Sequence, residues 1–180
     1  MTRLSATILM FAVLTFSSIA FAQQDKGKRP SPPANAQCKF SDGKTINVDY
    51  GAPSMRGRKI YGGLVPYNQV WRSGANEATT FVTTANVEIN GTSVPAGNYT
   101  LFTLPSENTW KLVISKKTGE WGIPYPGEAD DLARLDMQKE TLPSPVEKFA
   151  IAFDQTGPDS CRLHLDWETT RASADIKEKK

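Results

Sequence analysis

One histidine and two cysteines are the only imidazole and thiolate groups in 180 residues. A structural zinc site takes about four nitrogen or sulfur ligands at close spacing, so His164, Cys38 and Cys161 are too few and too scattered to build one. No metal site and no cofactor are expected, and only a carboxylate-held Ca2+ stays open. Cationic patterning is missing too: 21 Lys and Arg stand against 19 Asp and Glu, for a formal net charge of +2, and the basic residues are dispersed. Without a basic stripe interleaved with aromatics, nucleic acid is not an expected partner. Glycines occur, but "YGG" and "SGAN" lack the strand-then-helix setting of a phosphate cradle. Helical periodicity is nearly absent. One stretch, "GEADDLARL" at 127–135, has acidic residues at its start and Arg134 one turn after Asp131, and it supports one or two turns at most.

Long apolar runs are lacking as well, which excludes a membrane span and leaves a different reading of the first residues. Arg3, the apolar stretch 8–16 and Ala20-Phe21-Ala22 have the layout of a secretory signal peptide over 1–22, cleaved after Ala22. The expected location is therefore exported, periplasmic or extracellular, with no membrane span after cleavage. Removal leaves roughly 160 residues, enough for one domain with its own core. In an oxidising compartment Cys38 and Cys161 have a single possible pairing, and a disulfide between them is expected. A catalytic thiol would need a base, and His164 is the one histidine available.

What is present is strand-like. After a Pro-rich, aperiodic stretch at 23–37, expected to be a flexible leader, apolar residues alternate almost everywhere. Cys38 and Phe40, the dipeptide Asp42-Gly43, then Ile46, Val48 and Tyr50 predict a hairpin. Val87, Ile89, Asn90-Gly91 and Val94 predict a second. Further strands are expected at 98–104, 110–115, 146–153, 160–167 and 171–176, followed by a solvated, charged tail at 177–180. About nine strands with turn signals between them predict an all-β domain over 38–176: an antiparallel β-sandwich or a related barrel. In 160–167 the alternation turns Cys161, Leu163, Leu165 and Trp167 inward, as Cys38 turns beside Phe40, and sets His164 outward between Arg162 and Asp166.

Two segments break the alternation, 51–79 and 116–134. Each is longer than an ordinary connection, and their aromatics (Tyr61, Tyr67, Trp71, Trp121, Tyr125) predict ordered loops that fold onto the strands. In the first, Arg58 and Arg72 are guanidinium forks suited to carboxylate or phosphate and Asn76 and Glu77 are hydrogen-bonding groups; Trp71 in the first and Trp121 in the second are candidate stacking platforms. The reading ranked ahead of a ligand site for this segment is an ion pair of Arg72 or Arg58 with Glu77, with Asn76 holding backbone groups, which makes it a corner of the fold.

The stretches "YGAPSMRGRKIYGGLVPYNQVWRSGANEATTF", "VPAGNYTLFTLP" and "WKLVISKKTGEWG" resemble an exported bacterial family catalogued as domain of unknown function twenty-nine eleven. The resemblance runs from about Ser31 to Ile176. Its mark falls on Gly57, Arg58, Ile60, Gly62, Leu64, Val65, Pro66, Val70, Trp71, Arg72, Ser73, Gly74, Ala75, Asn76 and Glu77. Ser73 stands where threonine is frequent, which keeps the hydroxyl. The resemblance brings no activity with it.

Three functions remain in play. The first is a binding module holding a small polar or anionic ligand, a sugar among them, between 51–79 and 116–134, using Arg58, Trp71, Arg72, Asn76, Glu77 and Trp121. The second is a structural or interaction protein in which these groups are architecture. The third, ranked behind both, is a hydrolase with Glu77 as base or nucleophile and Asp130 or Asp131 as the second carboxylate. Ser73 lacks a histidine partner and a G-x-S-x-G elbow.

Overall fold

Backbone pairing assembles nine antiparallel strands into one sheet: β1 (Pro33–Lys39), β2 (Thr45–Gly51), β3 (Thr79–Thr83), β4 (Val87–Ile89), β5 (Thr92–Val94), β6 (Gly97–Pro105), β7 (Trp110–Ser115), β8 (Asp131–Gly157) and β9 (Ser160–Glu178). The computed structural model describes residues 28–180; the signal peptide expected over 1–22 and the leader residues 23–27 lie outside that range. The strand order is β1-β2-β3-β6-β7-β8-β9-β4-β5, an open sheet rather than a closed barrel. Among the described residues no helix is long and apolar enough to cross a membrane.

Alternation explains most of the strands. In β2, Ile46, Val48 and Tyr50 point into the core while Asn47 and Asp49 point away. Both hairpin turns form where Asp-Gly and Asn-Gly stand. Asn90 and Gly91 take φ of 43° and 85°, positive at both central positions as a tight two-residue hairpin turn requires.

The sheet folds over along its two longest strands. β8 runs for 27 residues and loses register between Thr141 and Val146 and again before Ala150. Pro143 and Pro145 lie in that gap, and neither can donate to a ladder. Beyond it, β8 turns toward the chain that follows β2: Met55 N–H donates to Glu147 O at 2.8 Å, and Phe149 N–H donates to Pro53 O at 2.8 Å. The Cys38–Cys161 disulfide joins β1 to β9, with Cα atoms 6.5 Å apart. Between the two halves sits an aromatic core of Tyr61, Trp110, Phe149 and Trp167, onto which Trp71 stacks. The result is sandwich-like.

Several expectations need correction. The leader read over 23–37 is overtaken by β1 from Pro33 onward, because Ala34 and Ala36 pack on the core and the backbone pairs with β2. The helix expected at 127–135 shrinks to a three-residue 3-10 turn, Glu128–Asp130. From Asp131 the chain is already strand, since Ala133, Leu135 and Met137 alternate with Arg134 and Asp136 and pair with β7. The strands read at 160–167 and 171–176 are one strand, kinked where Glu168 adopts φ 55°. The tail at 177–180 is not simply solvated. Lys177 and Glu178 pair with β4, and Glu178 is only 4% exposed, its carboxylate held by Lys44 at 2.8 Å. His164 does not face water. It is 7% exposed, with Nδ1 3.3 Å from Asp166 and Nε2 3.6 Å from Asp154, and Arg171 binds the same Asp166 carboxylate from the other side.

Candidate functional site

The segment "WRSGANE" is first of all a corner of the fold. Trp71 N–H donates to Thr103 O at 2.8 Å and Thr103 N–H returns a bond to Trp71 O at 2.9 Å, so the chain extends the sheet beside β6. Ser73 and Asn76 then adopt positive φ, 52° and 65°, which reverses the chain twice within four residues. Each reversal is tied down. Ser73 Oγ donates to Thr103 Oγ1 at 3.0 Å, Thr79 Oγ1 donates to Ser73 O at 2.8 Å, and Asn76 Nδ2 donates to Ser31 O at 2.9 Å. Gly51 is glycine because a Cβ there would stand 2.2 Å from Ala75 O, and Ala75 N–H donates to Gly51 O at 3.1 Å. Ser73 is fully buried.

The two long loops meet over this corner. Ala78 N–H donates to Glu120 O at 3.2 Å, and Arg72 Nη1 donates to Trp121 O at 3.2 Å. The Arg72 guanidinium lies 5.6 Å from the centre of the Trp121 ring, a cation–π contact. Its Nε is buried and without a hydrogen-bond partner. Burial pulls the Arg72 pKa down, partly offset by the charge of Glu77. Gly122, at φ 83°, lets the second loop press against the first, since a Cβ there would be 2.9 Å from Ala78 Cβ.

The residues expected to converge are divided among four places. Arg72 and Trp121 hold the loops together. Asn76 and Glu77 border a recess of about 350 Å3 on the β1–β2 side, where Arg29 pairs with Glu77 at 2.6 Å. Arg58 turns away from both, its Nε and Nη2 capping Met55 O at 2.9 Å and Ser54 O at 2.7 Å. Asp131 belongs to the fourth: it accepts from Tyr125 Oη and from Arg134 Nε at 2.6 Å. Burial and then that bond to Asp131 push the Tyr125 hydroxyl up to about 12. Glu77 and Asp131 thus have separate partners rather than each other.

Between the loops, where a polar pocket was expected, the surface is apolar. A groove of about 460 Å3 is walled by Leu64, Pro66 and Val70 on one side and by Ile123, Pro124 and Tyr125 on the other, with Trp71 among its lining residues. Gln69 supplies its one side-chain amide. Leu64 and Ile123 are 46% and 63% exposed, and Trp121 beside them 52%. Among the described residues, no group of three or more His, Cys, Asp and Glu is placed to hold a metal ion. Sequence reasoning missed Arg29, Asn35 and Asp49 as pocket-forming residues. The last two sit on outward positions of strands, a signal that alternation supplies, but their meeting depends on strand register.

A family model described as a protein of unknown function (DUF2911) matches residues 31–176. No curated protein and no solved structure matches the chain.

Proposed function

Since the chain belongs to the DUF2911 family, whose description carries no activity, we propose from its geometry that it is an exported binding module for a small molecule with an aromatic or aliphatic body. The ligand lies in the groove between 51–79 and 116–134. The observation that carries this reading is the groove itself: about 460 Å3 of concave, mostly apolar surface with Trp71 and Tyr125 among its lining residues, a size and lining typical of small-molecule sites. Large apolar side chains that water reaches on a folded surface mark interaction sites more often than chance exposure does. The ligand chemistry differs from the polar or anionic one expected from sequence, because Arg58 and Arg72 spend donors on backbone carbonyls and neither lines the groove.

The architectural reading of the motif is part of this proposal. Ser73, Thr79 and Asn76 spend their hydrogen bonds on the corner, and the corner positions Trp71. A hydrolase is less well supported, since Glu77 and Asp131 are engaged in different constellations.

The test is a titration with the neutral fluorophore N-phenyl-1-naphthylamine. Bound probe should brighten, and Ile123→Asp or Leu64→Asp should weaken binding about tenfold, the cost of a charge facing an apolar body. Arg58→Ala should leave it unchanged. Absence of binding, or equal binding by Ile123→Asp, refutes the groove. Export is tested by N-terminal sequencing of the periplasmic or secreted form, which should begin at Gln23.

A further inference from the structure

Strand register brings a row of short polar side chains to one line across three strands. Asn35 of β1 stands opposite Asp49 of β2, and Asp49 stands opposite Thr80 of β3. Residues directly opposite in a ladder share a face, so an amide, a carboxylate and a hydroxyl lie side by side on the outside of the sheet. One rung further, Gln37 and Asn47 continue the row, joined by a 2.6 Å bond from Nε2 to Oδ1. At its other end the row runs into the recess of about 350 Å3, walled by the end of the motif, Asn76 and Glu77, by Arg29, and by the apolar Pro33, Ala34, Tyr50 and Ala78, against which the C–H face of a ring can lie. The apolar groove lies beyond the Ala78–Gly122 contact, so the two are separate concavities.

The chemistry of this recess is specific. Arg29 and Glu77 pair at 2.6 Å, which cancels their charges and leaves Asp49 as the excess carboxylate. An anion is therefore disfavoured. Donors and acceptors lie side by side: Arg29 and the Asn35 amide donate, the carboxylates and amide oxygens accept, and Asn76, whose Nδ2 is held by Ser31 O at 2.9 Å, offers its oxygen. Thr80 Oγ accepts the Asp49 N–H at 3.3 Å, and its own proton remains available. A ligand that matches must offer groups able to donate and accept at neighbouring positions while carrying no charge. Hydroxyls on adjacent carbons do this.

We propose that the recess bordered by Arg29, Asn35, Asp49, Asn76, Glu77 and Thr80 is a second binding site, for the ring of a neutral sugar. The row toward Gln37 and Asn47 receives the next residue of an oligosaccharide. The site is independent of the apolar groove.

The experiment is an amide NMR titration of the processed chain with maltotriose, cellotriose, chitotriose and, as the anionic arm, glucuronate. At least one neutral trisaccharide should shift the amides of Asn35, Asp49 and Thr80. Asp49→Asn and Thr80→Val, both at exposed positions, should each weaken it about tenfold, the loss of one ligand hydrogen bond. Both variants should bind N-phenyl-1-naphthylamine as the parent does, which separates this site from the groove. The proposal is overturned if no neutral sugar moves these amides, if the two variants bind sugar as tightly as the parent, or if glucuronate binds more tightly and Arg29→Gln abolishes it.

Discussion

Replacing Gly122 by alanine tests how the two loops are held together. Two costs fall on this position. Its φ of 83° disfavours any residue with a Cβ by about 1–2 kcal/mol. The new methyl would also stand 2.9 Å from Ala78 Cβ and 3.0 Å from Arg72 Cβ, an overlap that in packed regions costs about 1–3 kcal/mol. Together they oppose the docked loop by about 2–5 kcal/mol. Against this stand the Ala78–Glu120 and Arg72–Trp121 hydrogen bonds and the Arg72–Trp121 stacking, together worth about 3 kcal/mol. The two sides are comparable, so the second loop should lift off while the sheet stays folded. The loss is capped at the docking energy of about 3 kcal/mol, so the melting temperature should fall by about 6–12 °C, since a domain of this size loses about 2–4 °C per kcal/mol. Trypsin should cut after Lys116 or Lys117 well below that temperature, and the naphthylamine probe should no longer bind. Parental melting and proteolysis in Gly122→Ala would refute the loop contact. A large drop in melting temperature without local cleavage would refute the idea that the loop docks as a separate unit.

Other consequences are equally direct. Reducing the Cys38–Cys161 bond, which spans a sequence separation of 123, should destabilise the fold by about 5 kcal/mol in the loop-entropy account; a urea titration showing a loss below about 2 kcal/mol would contradict it. Thr103→Val removes the nearer of the two acceptors of the buried Ser73 hydroxyl, leaving Trp71 O at 3.4 Å, and should cost about 1 kcal/mol in the same titration. Asp166 supplies a pH dependence. Burial raises its carboxyl pKa, but the Arg171 fork and His164 lower it further, to about 2 against an ordinary 3.8. The folded-state value lies below the unfolded one, so the stabilisation is complete above about pH 4 and disappears as pH falls through about 2. After allowance for solvent screening it amounts to about 1–2 kcal/mol, and Asp166→Asn should flatten this part of the stability profile.

How far the fold was legible depended on how local its causes are. The hairpins at Asp42-Gly43 and Asn90-Gly91 were readable because the turn dipeptide and the alternation on either side sit within a few residues. The opening segment of β8 was hidden because Asp131 and Arg134 mimic a helix turn, while its strand state depends on pairing with Trp110–Ser115. The place of His164 is hidden for a similar reason: alternation gives the face, but Asp154 comes from the neighbouring β8, and Arg171 reaches Asp166 from beyond the kink of the same strand at Glu168. At the candidate site, Trp71, Arg72, Asn76 and Glu77 stood out by type. The separation of Arg58 from them follows from its bonds to its own turn. The row Asn35–Asp49–Thr80 needed registers among three strands, which one sequence does not contain.

The covalent tie between Cys38 and Cys161 also orders events during synthesis. An emerging chain exposes its first thiol long before the second exists, and the bond joins strands that are not neighbours in the sheet. Oxidation must therefore wait for the last strand. Until then Cys38 is a thiol without its native mate, and any small disulfide it meets can exchange with it, the Cys38 thiolate attacking one sulfur and the other leaving as a thiolate.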